Sequence, residues 1–320
     1  MTKSHRKLAV LLVILSVMIV TLMALGAGVR TMNAGLSCPD WPLCFGKIIP
    51  DFHPAVWFEF VHRAYAGLVA IVFAVCFFWV LRLKTAPRAA KMAAVAGLFF
   101  LVMQIVAGAL TVLWLVKWAA VTSHLLLATL FFCSVLWILF QIRPDIEEPT
   151  VKAPRTLSFL AGWISLFVFM QIALGGIVAS TYAGSVCVDW PLCNGQWVPT
   201  WKGAIGHQVS HRFMAYFLAI VIAVYAVVIQ TQSRKPWVTK QLLRLSRFNI
   251  AIVLLQVGVG VANLLLFIPP SVTVLHQSMA ILLLAINLRT YFVARAIVRV
   301  RIPARDSKAI DQGVFGGVSG

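Results

Sequence analysis

Charged residues are scarce in this chain, and acidic residues are the scarcest of all. Among 320 residues there are only 9 Asp and Glu, and charged residues together make up 11%. A soluble domain usually has about a quarter charged residues. The composition therefore excludes a soluble enzyme, a soluble nucleic-acid-binding module and a disordered protein. What the chain has instead is 61% hydrophobic residues in long continuous runs, which is typical of a polytopic membrane protein.

Eight apolar runs are long enough to cross about 30 Å of hydrocarbon as a helix. Lipid offers no hydrogen-bond partner to an open backbone, so each run is predicted to be helical. We therefore predict an all-α polytopic membrane protein with eight transmembrane helices. The predicted spans are 8–28, 56–81, 92–116, 119–142, 157–180, 205–231, 248–268 and 271–294.

The net charge of +18 comes from 27 Lys and Arg residues. Most of them lie in the N-terminal tail, in the second, fourth and sixth connections, and in the C-terminal tail. Cytoplasmic loops collect Lys and Arg, so both termini are predicted to be cytoplasmic. This distribution explains the basic charge without a nucleic-acid partner, and the expected partner is the lipid membrane. The first span is longer than the apolar part of a signal peptide, and we expect it to be retained.

An internal repeat divides the chain. The sequence CPDWPLCFG at 38–46 reappears as CVDWPLCNG at 187–195, 149 residues later. We predict two pseudo-symmetric four-helix bundles, 1–149 and 150–300, followed by a cytoplasmic tail, 301–320. Four helices per half is an even number, so both halves enter the membrane in the same direction, as in parallel repeats. The same repeat relates His62-Arg63 to His211-Arg212, and with a shift of 152 relates Gln104, Gly108 and His124 to Gln256, Gly260 and His276.

Four histidines occupy repeat-related places inside the predicted spans. Ionisable groups within a membrane are costly and usually face the bundle interior. Each half offers two imidazoles at matched depth, and two axial imidazoles suit an iron whose other positions a porphyrin fills. Zinc requires more protein ligands. The alternative is that each histidine only hydrogen-bonds a neighbouring helix, but four related positions favour a cofactor. The four are His62, His124, His211 and His276.

Glu59 breaks the symmetry of the halves. It precedes His62 by three positions, so both side chains share a helix face, and its counterpart in the second half is Gln208. A bundle that only held a cofactor has no evident use for this acid. A bundle that also moves protons does. The alternative interpretation is a carboxylate placed favourably at a helix start.

Two further residues lack a repeat partner, and the sequence leaves their roles open. Arg30, whose counterpart is Ala179, is suited to pair with a heme propionate or with a lipid phosphate. His207 lies one turn before His211 and is predicted to be interfacial, with a ligand or propionate-side role as the alternative.

Two cysteine pairs of identical spacing fall in the long loops predicted to lie outside. An exterior location favours disulfides, so a structural bridge within each loop is predicted. A redox-active pair that passes electrons to the neighbouring site is the alternative. Two thiolates per loop are too few for a zinc site. The pairs are Cys38 with Cys44 and Cys187 with Cys193, while Cys76 and Cys133 are predicted to be free residues within spans.

Together these residues resemble the heme A synthase family of bacteria and mitochondria, in its cysteine-bearing bacterial branch. The resemblance covers about residues 8–298 and rests on the eight helices in two halves, the motif from Glu59 to Arg63, and the later histidines. It implies oxidation of the C8 methyl of heme O to the formyl of heme A, the prosthetic group of heme-copper cytochrome oxidases. It also implies a bacterial cytoplasmic membrane, with the heme O-producing farnesyltransferase and cytochrome oxidase assembly factors as partners.

The resemblance further implies a role for each site residue. His62 and His124 would bind the substrate heme, with Glu59 as the catalytic carboxylate, whereas His211 and His276 would ligate a resident heme b for electron transfer. Two other functions stay open from the residues alone. A di-heme b-type membrane cytochrome leaves Glu59 without a role, and a quinone-linked thiol oxidase leaves the histidines without one. A transporter is disfavoured by the aligned histidines.

Overall fold

The computed structural model describes residues 3–147, 151–197 and 199–299. These residues form eight α-helices and one short 3-10 turn, Ala183–Ser185, and all eight helices are long and apolar enough to cross a membrane. The predicted fold class is therefore confirmed, and the chain is a multi-pass membrane protein. The helices are α1 (Lys3–Thr31), α2 (Pro54–Arg82), α3 (Arg88–Leu113), α4 (Trp118–Ile142), α5 (Arg155–Ser180), α6 (Gly203–Thr231), α7 (Lys240–Leu265) and α8 (Pro270–Arg299).

Each half closes into a ring of four helices. Contacts run from α1 to α2, α2 to α3, α3 to α4 and back to α1, and the same order holds from α5 to α8. The halves meet through α1, α4, α5 and α8. One large cluster of buried apolar side chains continues through both halves. The predicted tail 301–320 lies outside the described residues.

The predicted start of the seventh helix was wrong by eight residues. α7 begins at Lys240 rather than at 248, and the hydroxyl of Thr239 caps it by accepting the Leu242 N–H at 3.1 Å. Its first turns contain Arg244 and Arg247, so a search for continuous apolar runs excludes them. α1 begins at Lys3 rather than at 8 for the same reason. A helix extends beyond the membrane wherever its polar first turns are capped or solvated.

The predicted ends of the third and seventh helices were too late by three residues. α3 ends at Leu113 because Leu115 and Val116 are left-handed, with φ of 51° and 50°. Phe267 and Ile268, their repeat counterparts, both have φ of 60°. A left-handed residue costs about 1–2 kcal/mol, so both short turns are strained at equivalent places.

Polar contacts between helices join the two halves. The amide of Gln277 on α8 donates to the Met23 carbonyl on α1 at 3.1 Å. The hydroxyls of Thr122 on α4 and Ser180 on α5 lie 3.0 Å apart. These hydrogen bonds fix the relative position of the halves, since apolar packing alone discriminates weakly between positions in lipid.

Candidate functional site

The four histidines lie near the end of the molecule that bears the two cysteine loops. His62 and His211 each lie eight residues after the first residue of their helices, α2 and α6. His124 and His276 each lie six residues after the first residue of α4 and α8. All four side chains are partly buried. The matched depth that the sequence predicts is therefore present in the helices.

In the second half, the two imidazoles face each other. The ring centroids of His211 and His276 lie 6.5 Å apart, with an angle of 77° between the ring planes. Two metal–imidazole bonds of about 2 Å each, plus the distance from each nitrogen to its ring centre, require about 6 Å between centroids. This separation fits an iron that the two imidazoles would hold between them. In the first half, His62 and His124 are near enough to interact electrostatically.

A glycine on the preceding helix lies against every one of these rings. A β-carbon on Gly26 would lie 3.0 Å from Cε1 of His62, and one on Gly175 would lie 3.1 Å from Cε1 of His211. Any larger residue would push the ring away, so these glycines set the position of the imidazoles. The other two pairs are Gly108 with His124, at 3.0 Å, and Gly260 with His276, at 2.8 Å.

Glutamines one turn before three of the glycines contact the rings. The amide nitrogen of Gln171 lies 3.0 Å from Nδ1 of His211, and that of Gln104 lies 3.1 Å from Nε2 of His124. The Gln256 amide donates to the His276 backbone carbonyl at 3.1 Å and lies 3.5 Å from its Nε2.

These roles of glycine and glutamine were not predicted from the sequence. Their signal was present in the sequence, since Gln-x-x-x-Gly occurs at 104–108, 171–175 and 256–260.

Glu59 connects the first histidine helix to the first cysteine loop. Its side chain is buried, with 4% of its surface exposed. Oε2 accepts the backbone N–H of Cys38 at 2.9 Å, and Oε1 accepts a guanidinium N–H of Arg63 at 2.5 Å. An ion pair that is also hydrogen-bonded to the backbone holds a carboxylate in one place. Glu59 is therefore held in one position, one turn from His62.

Arg63 and Arg212 hold the two loops in the same way. The Arg63 guanidinium donates to the backbone carbonyls of Cys38, Asp40 and Leu43 at 2.8–3.2 Å. Arg212 donates to the carbonyls of Cys187, Asp189 and Leu192 at 2.7–3.1 Å. From the sequence, these arginines were recognisable only as members of the repeat.

Arg63 and Arg212 differ in one partner. Arg63 has a carboxylate partner in Glu59, whereas the equivalent residue in the second half, Gln208, contacts Gly184 weakly at 3.5 Å.

Both predicted disulfides are present. Cys38 is bonded to Cys44, and Cys187 to Cys193. Cys76 and Cys133 are free, as predicted.

An aspartate organises each of these loops. Asp40 accepts the backbone N–H groups of Gly46 at 2.8 Å and Phe45 at 2.7 Å. These hydrogen bonds, that of Gly46 first, lower the pKa of the Asp40 carboxyl below its ordinary value of 3.8. Gly46 has a φ of 69°, which a glycine adopts without strain. Asp189 accepts the N–H groups of Asn194 and Gly195 in the same manner.

Arg30 and His207, which have no repeat partners, both contact residues elsewhere in the chain. Arg30, at the end of α1, donates to the Ala179 carbonyl of α5 at 3.1 Å and so bridges the two halves. Nδ1 of His207 lies 3.3 Å from the Thr181 hydroxyl.

The fold and site define an eight-helix membrane protein with a pair of histidines in each half. Comparison with protein families gives a match over residues 9–288 to the family described as cytochrome oxidase assembly protein, COX15-CtaA. The chain therefore belongs to this family, and the chain is also similar to several heme A synthases.

Three of these relatives illustrate the similarity. The chain is 29% identical to the heme A synthase of Shewanella oneidensis over 312 residues, which cover 84% of this chain and 91% of that protein. It is 30% identical to that of Caulobacter sp. strain K31 over 330 residues, with 88% and 94% covered. It is 32% identical to that of Shouchella clausii over 227 residues, with 69% and 75% covered.

Proposed function

We propose that this protein is a heme A synthase, an oxidoreductase that converts the C8 methyl group of heme O to the formyl group of heme A by successive hydroxylations. One observation carries the proposal. Both halves have a histidine pair at the same depth, but only the first half places a buried carboxylate, Glu59, one turn from a histidine. The names of the relatives support the same activity.

In this proposal, the two histidine pairs bind different hemes. His62 and His124, in residues 1–149, hold the substrate heme O. His211 and His276, in residues 150–300, hold a resident heme b, in support of which their centroids are separated by 6.5 Å. The chemistry that a resident heme supplies is one-electron transfer, while the protein supplies binding and orientation. The residues present fit this group, since both rings are placed by glycines on adjacent helices.

Glu59 accepts the protons that leave the methyl group as it is oxidised. A carboxylate has about four lone-pair sites, and Arg63 and the Cys38 N–H engage one on each oxygen. Each oxygen therefore keeps capacity for a proton. Arg63 and the Cys38 N–H together hold the carboxylate in position.

The protein works in the bacterial cytoplasmic membrane, with both termini cytoplasmic and the cysteine loops outside. The distribution of Lys and Arg along the sequence supports this orientation. Heme O carries a farnesyl group and is lipid-soluble, which suits an enzyme within the membrane. The proposed partners are the farnesyltransferase that makes heme O and the assembly factors of cytochrome oxidase. The family description supports the second partner.

The test is extraction and chromatography of hemes from the purified protein, expressed in a host that makes heme O. We expect heme A from the unaltered chain. Glu59→Gln should keep the second-half heme but yield no heme A, because an amide cannot accept the proton. Gln208→Glu places the same change at the repeat position in the second half and should leave heme A formation intact.

The two measurements test the synthase assignment and the role of Glu59 separately. If the unaltered chain returns heme O unchanged while its hemes undergo reversible reduction, the protein is a di-heme cytochrome and the proposal is wrong. Full heme A production by Glu59→Gln would remove Glu59 from the mechanism and leave the synthase assignment standing.

A further inference from the structure

One position close to the histidines differs in size between the two halves. Gly67 lies five residues after His62 on α2, and a β-carbon at Gly67 would meet nothing within 4 Å. The repeat that relates His62 to His211 also relates Gly67 to Tyr216, which lies five residues after His211 on α6. The first half therefore has open space where the second half has an aromatic side chain.

The Tyr216 side chain is packed into the second half rather than extended into lipid. Its hydroxyl oxygen is buried and has no hydrogen-bond partner among the described residues. Tyr216 is near enough to Arg212 to interact with it electrostatically, and its ring centroid lies 6.2 Å from that of Phe213. Tyr216 therefore fills space beside the arginine that holds the second cysteine loop.

The space beside Gly67 lies where α2 meets α3. Glu59, Arg63 and Gly67 follow one another at intervals of four residues, so they lie along one side of α2. Leu81 is 14 residues further on, about four turns, and so lies on the same side as Gly67. The repeat counterpart of Leu81 is Gln230, which donates to a backbone carbonyl of α7 at 3.2 Å. Since α7 corresponds to α3, this side of α2 faces α3.

The first half has a tyrosine of its own near His62, but it does not fill this space. Tyr65 precedes Gly67 by two residues, which is about 200° around the helix, and it packs against the large apolar cluster. Its counterpart in the second half, Met214, packs against the same cluster. These two positions are therefore alike, and the difference between the halves is confined to Gly67 and Tyr216.

The junction of α2 and α3 is also the least closely packed junction between neighbouring helices within either ring of four. In the second half, Gln230 of α6 donates to the Ser246 hydroxyl of α7 at 2.5 Å. The counterparts of these two residues are Leu81 and Ala94, whose side chains carry no polar group. The second half is therefore closed at this junction by a tyrosine and a glutamine, and the first half by neither.

The two hemes of the proposed function differ at the porphyrin edge. Heme O carries a hydroxyethylfarnesyl group where heme b carries a vinyl group, so only the substrate needs room for a long apolar chain. In heme O this group and the C8 methyl are on neighbouring pyrrole rings. A methyl group that reacts near Glu59 therefore places the start of the chain near the same side of α2, where Gly67 lies about two turns further along.

We infer that Gly67 and Tyr216 are specificity-determining residues that decide which heme each half accepts. The space beside Gly67 holds the farnesyl chain of heme O, and the open junction of α2 and α3 connects this space to lipid. Tyr216 fills the equivalent space, so the second half takes a heme without the chain. This inference rests on the proposed function, in which the first half binds heme O and the second half binds heme b.

The test compares heme binding by the purified full-length protein, prepared with heme b in the second half from a host that makes no heme O. Ferric heme O or hemin is then added, and binding to the first half is followed by absorbance. Gly67→Tyr should weaken heme O binding by about tenfold, the effect of moderate overpacking, and should leave hemin binding unchanged. Leu68→Tyr is the matched control, because Leu68 is 47% exposed on a different side of α2, and it should change neither affinity.

The reciprocal substitution tests the second half. In a His62→Ala background, which removes a ligand of the first half, the hemes extracted from protein made in a host with heme O should be heme b alone. Tyr216→Gly in this background should give a mixture of heme b and heme O. Tyr216→Phe keeps the ring and should give heme b alone, which separates the volume of the ring from the chemistry of its hydroxyl.

Unchanged heme O binding by Gly67→Tyr would overturn the inference, and so would an equal loss of heme O and hemin binding, because the space would then not distinguish the two hemes. Tyr216→Gly only removes atoms, so it decides the question if Gly67→Tyr does not fold, and heme b alone in that variant contradicts the inference.

Heme binding requires no turnover, so its outcome is independent of whether heme A is formed. Selective loss of heme O binding in Gly67→Tyr, with no heme A from the unaltered chain, defeats the proposed function alone. Heme A formation by the unaltered chain, with unchanged heme O binding in Gly67→Tyr, defeats this inference alone.

Discussion

A β-carbon on Gly260 would lie 2.8 Å from Cε1 of His276, the tightest of the four glycine–histidine contacts. Real β-carbons essentially never approach a neighbour this closely. Gly260 lies on α7 and His276 on α8, and His276 in turn faces His211. The spacing of the ring pair therefore depends on the absence of a side chain on α7.

Gly260→Ala should reduce the heme content of the second half. The added methyl group pushes the His276 ring, and overpacking of this kind costs about 1–3 kcal/mol. Gly258→Ala is the matched control, because a β-carbon at Gly258 meets nothing within 4 Å. Heme per chain, measured as the pyridine hemochrome, should fall in the first variant and stay constant in the second. Equal heme content in both would show that the contact does not position the ring.

The Cys187–Cys193 disulfide should contribute stability rather than chemistry. It closes a loop with a sequence separation of 6, for which the chain-entropy model gives about 2 kcal/mol. The double variant Cys187→Ser/Cys193→Ser should lower the thermal midpoint in detergent and still form heme A. Cys133→Ala, which removes a free cysteine, should leave the midpoint close to that of the unaltered chain. Complete loss of heme A formation in a stably folded double variant would show that the Cys187–Cys193 pair takes part in the chemistry.

Acid should loosen the cysteine loops. The pKa of Asp40 is lower in the folded protein than its ordinary value of 3.8, because the ionised carboxylate accepts N–H groups from Gly46 and Phe45. A depressed folded pKa means that this stabilisation is complete above the ordinary value and is lost as pH falls through the folded value. Asp189, with the same contacts, should follow the same dependence.

Asp40→Asn separates this effect from general acid denaturation. The unaltered chain should have the higher thermal midpoint above about pH 4, near the ordinary carboxyl pKa, and the difference should shrink as pH falls further. A difference that stays constant to lower pH would show that ionisation of Asp40 does not support the loop.

The internal repeat allowed the cysteine pairs and the matched histidine positions to be predicted from the sequence. Cys38 and Cys44 are bonded as their spacing and loop position predict, and His62 and His211 lie at matched places in α2 and α6. Such features follow from local rules, because hydropathy sets where a helix crosses and an internal repeat transfers one assignment to another position.

Helix ends were less predictable. α7 begins in a polar segment capped by Thr239, and α3 stops where Leu115 turns left-handed. Neither signal belongs to an apolar run. Capping and turn geometry depend on a few specific atoms, so a measure averaged over a window does not register them.

The contacts of Glu59 could not be predicted from the sequence either. Its position one turn before His62 was evident, but not that Cys38 and Arg63 would engage both carboxylate oxygens. Cys38 is 21 residues away and reaches Glu59 only because the loop folds back over α2.

The amino-acid sequence by itself predicted eight helices long and apolar enough to cross a membrane, and its internal repeat indicated which histidines correspond. Those properties follow from hydropathy and repetition along one dimension. Tertiary structure alone decided that the ring centroids of His211 and His276 lie 6.5 Å apart and that a glycine packs against each of the four histidine rings. The physical reason is that these properties depend on distances between atoms of different helices, which helix packing sets and no single segment encodes.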